Sequence, residues 1–289
     1  MSSTGYVQSE RKTSFDSPYK DLFIYYLHGH VVPDQNLFDP DFIGCWPEDE
    51  FSFLFFSRPA RAKVEKLLNS QPRLTLLDEF QMTYDQWQGG RLAPFRVGRF
   101  HIAPPWQMPW NNQEISQEEL PIVLDPGVVF GTGTHPTTCS CLEALELVFG
   151  RAKIVSALDL GTGTGLLALA ASRLGSPKTL AVDLNFLAVN TAIKNVRLNR
   201  LQDSVLVVQG RAEDFIDSPS DLVIANIHYE VMKHLIQAQG FCAKKWFILS
   251  GLLRTQAKDI ASSLSRHPFQ IIKKWEQDGI WHTFFGKIG

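Results

Sequence analysis

Apolar residues along this chain keep two rhythms. Between residues 21 and 77 they come as short runs broken by polar turns. Residues 21–27 (Asp-Leu-Phe-Ile-Tyr-Tyr-Leu), 42–46 and 51–56 are such runs, with Pro47-Glu48-Asp49-Glu50 as a turn between the last two. Runs of that length, rich in aromatic residues, predict strands. Arg58-Pro59-Ala60 opens a helix to about Asn69, with Pro59 suited to its first turn. Its apolar Ala60, Val64, Leu67 and Leu68 fall on one face. Residues 74–77 read as a fourth strand. Past residue 154 the rhythm changes. Strand-length runs at 154–160, 179–182, 205–208, 221–225 and 246–249 alternate with helical spacing at 166–171 and 186–199. That alternation predicts βαβ units and a parallel sheet. Residues 269–275 and 280–285 flank Gln277-Asp278-Gly279 as a closing hairpin, which adds an antiparallel pair.

The pattern divides the chain. Residues 1–18, rich in Ser, Thr and charge, read as a flexible tail. Residues 19–90 form a small α+β domain, 91–120 a connector and 121–289 an α/β domain. The prolines of the connector, with Trp106 and Trp110, predict an ordered linker packed across the boundary. Arg58, Arg61, Lys63 and Lys66 make the rest of the first helix basic. That is a solvated face or a docking surface for an acidic partner such as ribosomal RNA.

The candidate chemistry lies where the first strand of the α/β domain ends. Leu158-Asp159-Leu160 empties into Gly161-Thr162-Gly163-Thr164-Gly165, and a helix follows. Glycines leave backbone bare against a ligand, and the turn's N–H groups with the helix start favour an anion. Asp183 ends the next strand, where an acid accepts hydrogen bonds from ribose hydroxyls. The site therefore wants a nucleoside with an anionic or zwitterionic tail. A nicotinamide dinucleotide and S-adenosylmethionine both fit that description. The dinucleotide turn is G-x-G-x-x-G, which G-T-G-T-G does not match. Asp159 before a D-x-G-x-G-x-G turn points to the methyltransferase version. Glu213 or Asp214, after the strand at 205–208, is a candidate for the adenine amino group or a plain helix cap.

A second loop precedes this one: Asp125-Pro126-Gly127-Val128-Val129-Phe130-Gly131-Thr132-Gly133-Thr134-His135-Pro136-Thr137-Thr138. Thr134 reads as the cap of a helix starting near Pro136 and ending at Gly150. A capped start beside the Gly161 turn would bring Thr138 to the ligand.

Composition narrows the classes. With 44% apolar and 20% charged residues and a net charge of −2, the chain has no global attraction to nucleic acid or membrane. No apolar run approaches the roughly 20 residues that span a bilayer, and no secretory signal is evident. Four cysteines without zinc spacing read as reduced thiols of a cytoplasmic protein. His28 and His30 read as surface residues, and no metal is expected.

Together the D-P-G-x-x-F-G-T-G-x-H-x-T-T loop, residues 158–165, Asp183, Asn226 and Ser250-Gly251-Leu252-Leu253 resemble the ribosomal protein L-eleven methyltransferase family of bacteria. The resemblance covers residues 121–289. Phe95 to Trp106, ending in Ala-Pro-Pro-Trp, also resembles that family's connector, whereas residues before Arg91 match by size and element order. It implies a Rossmann-like seven-stranded class I methyltransferase domain behind a smaller α+β (ferredoxin-like) substrate-recognition domain. It implies transfer of methyl groups from S-adenosylmethionine to lysine or N-terminal amines of one ribosomal protein, free or on the large subunit, without sequence-specific nucleic-acid binding. Thr138, Gly161, Asp183 and Asn226 fall on the family's cofactor contacts. Gly163 and Gly165 complete its turn, and Phe130, Thr132 and Gly133 belong to its loop. Asn226 would orient the acceptor amine, with His135 or His228 as proton shuttles. Ile227-His228 stands where many members carry two apolar residues. The alternatives are a methyltransferase for another protein or a small molecule, a nicotinamide-dependent reductase, and a non-enzymatic nucleoside-binding or ribosome-associated module.

Overall fold

The computed structural model describes residues 17–32, 40–108 and 118–289. Nearly all of the expected tail, and Trp110, lie outside these residues.

Four strands, β1 (Asp21–His28), β2 (Phe42–Glu48), β3 (Phe51–Phe56) and β4 (Thr75–Thr83), form one antiparallel sheet in the order β2-β3-β1-β4. One helix, α1 (Arg61–Ser70), crosses from β3 to β4. The β2–β3 hairpin and this crossover match the second half of a β-α-β-β-α-β unit. Side chains alternate across the strands, so the sheet has two apolar faces. Tyr25, Leu27, Leu54 and Phe56 pack under Val64 and Leu67 of α1. Leu22, Ile24 and Phe55 face the other way, against Val128, Val129 and Leu187 of the following domain. The sheet is thus sandwiched between its own helix and its neighbour.

Several details differ from the sequence reading. β2 continues through Pro47 and Glu48, leaving Asp49-Glu50 alone as the turn, with Asp49 at φ +49°. Pro59 lies before α1, whose cap position is Ala60. β4 is about twice as long as expected, and a one-turn helix, α2 (Tyr84–Trp87), follows it under a Thr83–Gln86 capping box. The basic face of α1 is largely paired. Arg61 binds Glu65 and Glu79, and Arg58 and Lys63 both reach Asp41.

The connector holds more structure than its prolines implied. β5 (Phe95–Val97), β6 (Phe100–Ala103) and β7 (Leu120–Val123) make a three-stranded sheet, β6 pairing antiparallel with β5 and parallel with β7. Trp106 packs edge-on against Tyr84, at 6.3 Å between centroids.

The remaining strands are β8 (Ser156–Leu160), β9 (Lys178–Asp183), β10 (Val205–Gln209), β11 (Leu222–Asn226), β12 (Trp246–Leu253), β13 (Phe269–Gln277) and β14 (Trp281–Ile288). They form a seven-stranded sheet in the order β10-β9-β8-β11-β12-β14-β13, parallel except for β14. The helices are α3 (Pro136–Phe149), α4 (Leu166–Arg173), α5 (Phe186–Leu198), α6 (Ala212–Phe215), α7 (Tyr229–Leu235), α8 (Gln239–Cys242) and α9 (Arg254–Leu264). Leu142, Leu145, Leu169 and Val196 cover one face of the sheet. Met232, Leu235, Phe241 and Ile260 cover the other. Helices α7 to α9 were not read from the sequence. β12 runs on past Leu249 through a register shift at Ser250-Gly251, where a simple strand end was expected.

Strand order reverses between β8 and β11. The loops leaving their carboxyl ends therefore diverge and open a crevice, which is where open α/β sheets bind ligands.

Candidate functional site

The turn after β8 is a rigid object. The N–H groups of Gly161 and Thr162 both donate to the carbonyl of Val182, at 2.8 and 3.0 Å. Gly163 N–H donates to Asp183 Oδ2 at 2.9 Å, and Asn185 N–H to Oδ1 at 2.9 Å. Asp183 thus joins its own loop to the glycine turn twenty residues earlier. Each of its oxygens keeps a lone pair for a further donor. Burial pushes its carboxyl above the usual carboxylate range, and the two N–H bonds pull it back. Two glycines are obligatory here. Gly161 sits at φ +74°, and a Cβ would lie 2.0 Å from Ile227 Cγ2. Gly163 sits at φ +55°, and a Cβ would lie 2.6 Å from the Phe130 carbonyl oxygen. Gly165, also at positive φ, caps α4 without a side chain.

Asp159 lies beneath the turn and is fully buried. It accepts a 2.6 Å bond from the Thr162 hydroxyl. Burial raises its pKa to about 7. The Thr162 bond opposes this, and the neighbouring Asp183 charge adds to it.

The second glycine loop lies directly over the first. The Thr164 hydroxyl donates to the Gly131 carbonyl at 2.6 Å. Below it, α5 holds the loop's entrance. Asn195 accepts from Asp125 N–H at 2.8 Å and donates to the carbonyls of Asp125 and Thr164, at 2.9 and 2.8 Å. Asn199 makes the same kind of clamp on Val123, at 3.0 and 2.6 Å. Lys194 Nζ lies 2.5 Å from Asp125 Oδ2, whose other oxygen accepts from Gly127 N–H. The sequence reading missed Lys194, Asn195 and Asn199. The i, i+4 pair of asparagines on one helix face was their only signal.

Asn226 ends β11 on the other side of the crevice. Its side-chain NH2 donates to the hydroxyls of Thr137 and Thr138, at 3.3 and 3.5 Å. Both threonines are buried in the first turn of α3. This leaves the Asn226 carbonyl oxygen free of hydrogen bonds to the described residues, with Gly251 beside it. The cap of α3 is His135, one residue past the expected Thr134, whose hydroxyl pairs with Thr132 instead. His135 Nδ1 accepts from Thr137 N–H at 3.3 Å and lies 2.8 Å from its hydroxyl. The ring packs edge-on between Phe130 and Trp281, and burial lowers its pKa. His228 is the cap residue of α7, but its exposed side chain makes no cap bond. Glu213 pairs with Arg211 at 3.2 Å in the first turn of α6.

The structure therefore brings Thr138, Gly161, Gly163, Asp183 and Asn226 to one crevice, with Gly165 at the start of α4. Phe130, Thr132 and Gly133 lie on the overlying loop, and His228 stands at its edge.

A family profile described as Ribosomal protein L11 methyltransferase (PrmA) matches residues 62–288. Among curated relatives, the ribosomal protein L11 methyltransferase of Anoxybacillus flavithermus is 37% identical over 65% of this chain and 59% of its own length. That of a Cyanothece species is 36% identical over 61% of this chain and 66% of its own. The chain thus spans 59% and 66% of the lengths of these two relatives. The crystal structure of a ribosomal protein L11 methylase from Lactobacillus delbrueckii subsp. bulgaricus superposes with a TM-score of 0.58 at 28% identity, over 67% of this chain and 97% of that one. The matched residues hold both glycine loops, Asp183 and Asn226, and the chain belongs to the ribosomal protein L11 methyltransferase family.

Proposed function

We propose that this chain transfers methyl groups from S-adenosylmethionine to amino groups of ribosomal protein L11, on lysine side chains, the N-terminal amine or both. Asn226 carries the reading: it lies across the switch-point crevice from the glycine turn, with its amide NH2 donating to two threonines and its carbonyl oxygen available.

The residues of the crevice fit the cofactor. The turn of Gly161 and Gly163 has no room for a side chain, so a ligand there would lie against backbone alone. Asp183 keeps acceptor capacity for ribose hydroxyls, and Thr138 completes the wall. When bound, the cofactor supplies an activated methyl group on a positively charged sulfonium.

The remaining work is positional. A free lysine has a pKa near 10.4, so its neutral form is scarce at pH 7. Desolvation in the crevice and a positive charge nearby both favour losing the proton. The Asn226 oxygen accepts an N–H of the amine and turns the lone pair toward the methyl. Asparagine takes no proton, so the proton leaves to water or through a histidine. His135 is the better placed, because its lowered pKa keeps it neutral at pH 7 and Thr137 links it to Asn226. The reaction takes place in the cytoplasm, on L11 either free or within the large subunit.

The relatives named ribosomal protein L11 methyltransferase do not favour the alternative, a methyltransferase of this family acting on another protein or a small molecule. Residues 1–61 lie outside the family match and contain β1 to β3, which face the methyltransferase domain. Intact mass spectrometry of bacterial L11, incubated with the protein and S-adenosylmethionine, separates the two. Mass added in methylene steps only with cofactor supports the first. Unchanged L11 alongside measurable cofactor binding selects the second.

A further inference from the structure

A cavity of about 840 Å3 opens between the small sheet and the second glycine loop. It is the part of the sheet's inner face that the methyltransferase domain does not fill. Trp46, Phe53, Phe80 and Trp87 line it from the small domain. Residues 128–132 and 134–136 form the opposite wall. This wall is shared with the cofactor turn, since Gly131 is bonded to Thr164 and Phe130 overlies Gly163. Its far end is His135, which Thr137 connects to Asn226.

The lining carries one carboxylate and no lysine or arginine. Glu48, exposed at the end of β2, makes no ion pair among the described residues. Burial keeps His135 neutral at pH 7. Aromatic rings and a single carboxylate lining one cavity attract an organic cation on an apolar stem, and attract a methylated ammonium most strongly because it sheds water most cheaply.

We propose that this cavity is a recognition subsite for an alkylammonium side chain of the acceptor, lysine or Nε-methylated lysine, distinct from the amine undergoing transfer. The distinction follows from charge. Glu48 and the aromatic faces stabilise a cation and hold it protonated, whereas transfer at Asn226 requires the neutral amine. The subsite therefore binds a neighbouring or already methylated lysine while another amine reacts. That its occupant belongs to a protein acceptor rests on the proposed function; that it takes a cation rests on the lining alone.

Isothermal titration of the full chain tests this with three probes: Nα-acetyl-lysine amide, its Nε-trimethyl form, and the neutral carbon isostere of the latter. The trimethyl cation binds about tenfold tighter than the isostere. Glu48→Gln weakens the cation about fivefold and leaves both the isostere and S-adenosylmethionine unaffected. Tighter binding of the trimethyl form over lysine assigns the subsite to methylated product, and equal binding assigns it to a neighbouring lysine; both sustain it. Equal affinity for cation and isostere, no binding of either, or no effect of Glu48→Gln would overturn it. Loss of L11 methylation with cation binding intact would sink the functional reading alone.

Discussion

The two sides of the crevice are built on opposite plans. On the side proposed for the cofactor, the turn after β8 and its neighbours leave little to move. Gly161, Thr162 and Gly163 are tied to β9 and its end, Thr164 holds the overlying loop, and Asn195 fastens both. On the side proposed for the acceptor, the polar contacts of Asn226 are long, His228 is exposed, and the cavity wall is made of half-open aromatic rings. The first plan suits a small ligand of fixed shape. The second suits a side chain delivered by a large partner, where apolar contact tolerates variation and a few oriented polar atoms set the chemistry. On the proposed function, cofactor binding and acceptor handling thereby fall on opposite sides of the crevice.

Substitutions sharpen this contrast, starting with the largest effect. Asn195→Ala removes a fully buried clamp and strands the Asp125 N–H and the carbonyls of Asp125 and Thr164. At about 1 kcal/mol for each lost bond, stability falls by about 3 kcal/mol. Urea denaturation showing a loss below about 1 kcal/mol would mean the two loops hold without α5.

Asp159 gives a pH test. Its pKa is raised in the folded state, to about 7, so the folded protein binds the proton more tightly than the unfolded chain does. Its contribution is fully present below the unfolded value near 4 and is lost as pH rises to about 7. Asp159→Asn should therefore gain stability relative to wild type between pH 5 and 8, by about 2–4 kcal/mol. A constant difference across that range would refute the buried, proton-holding carboxyl.

Gly163→Ala places a methyl group against the Phe130 carbonyl at positive φ. Cofactor affinity by titration drops at least about tenfold, roughly 1.4 kcal/mol. Undiminished affinity would show that the turn does not cradle the ligand. The smallest effect belongs to Lys194→Met. Its partner Asp125 is buried, at 4% side-chain exposure, but Lys194 itself is 55% exposed. Water screens the lysine end, so the loss is about 1 kcal/mol, and it should shrink further in high salt.

The same contrast governs what the sequence revealed. The glycine-turn side was legible because its parts are local: a strand, a glycine turn and a helix in consecutive order, then an acid closing the next strand. The clamps were not, since Asn195 and Asn199 act on residues 70 and 76 positions earlier. β5 and β6 were hidden by their shortness, three and four residues beside prolines. The capping residue of α3 was misplaced by one because His135 and Thr134 both offer a suitable side-chain acceptor. The aromatic cavity was illegible altogether: its walls come from β2, β3, β4, α2 and a loop of the other domain, and no spacing in the chain announces that they meet.

The separation of the two sides is tested most directly at Asn226, measured for both halves of its surroundings at once. Single-turnover methylation and cofactor titration of Asn226→Ala should show transfer slowed by about a hundredfold, near 2.7 kcal/mol of lost orientation, with cofactor affinity held within about threefold. Equal losses in rate and affinity would contradict the account, because Asn226 would then belong to the cofactor side and the amine would be positioned by something else.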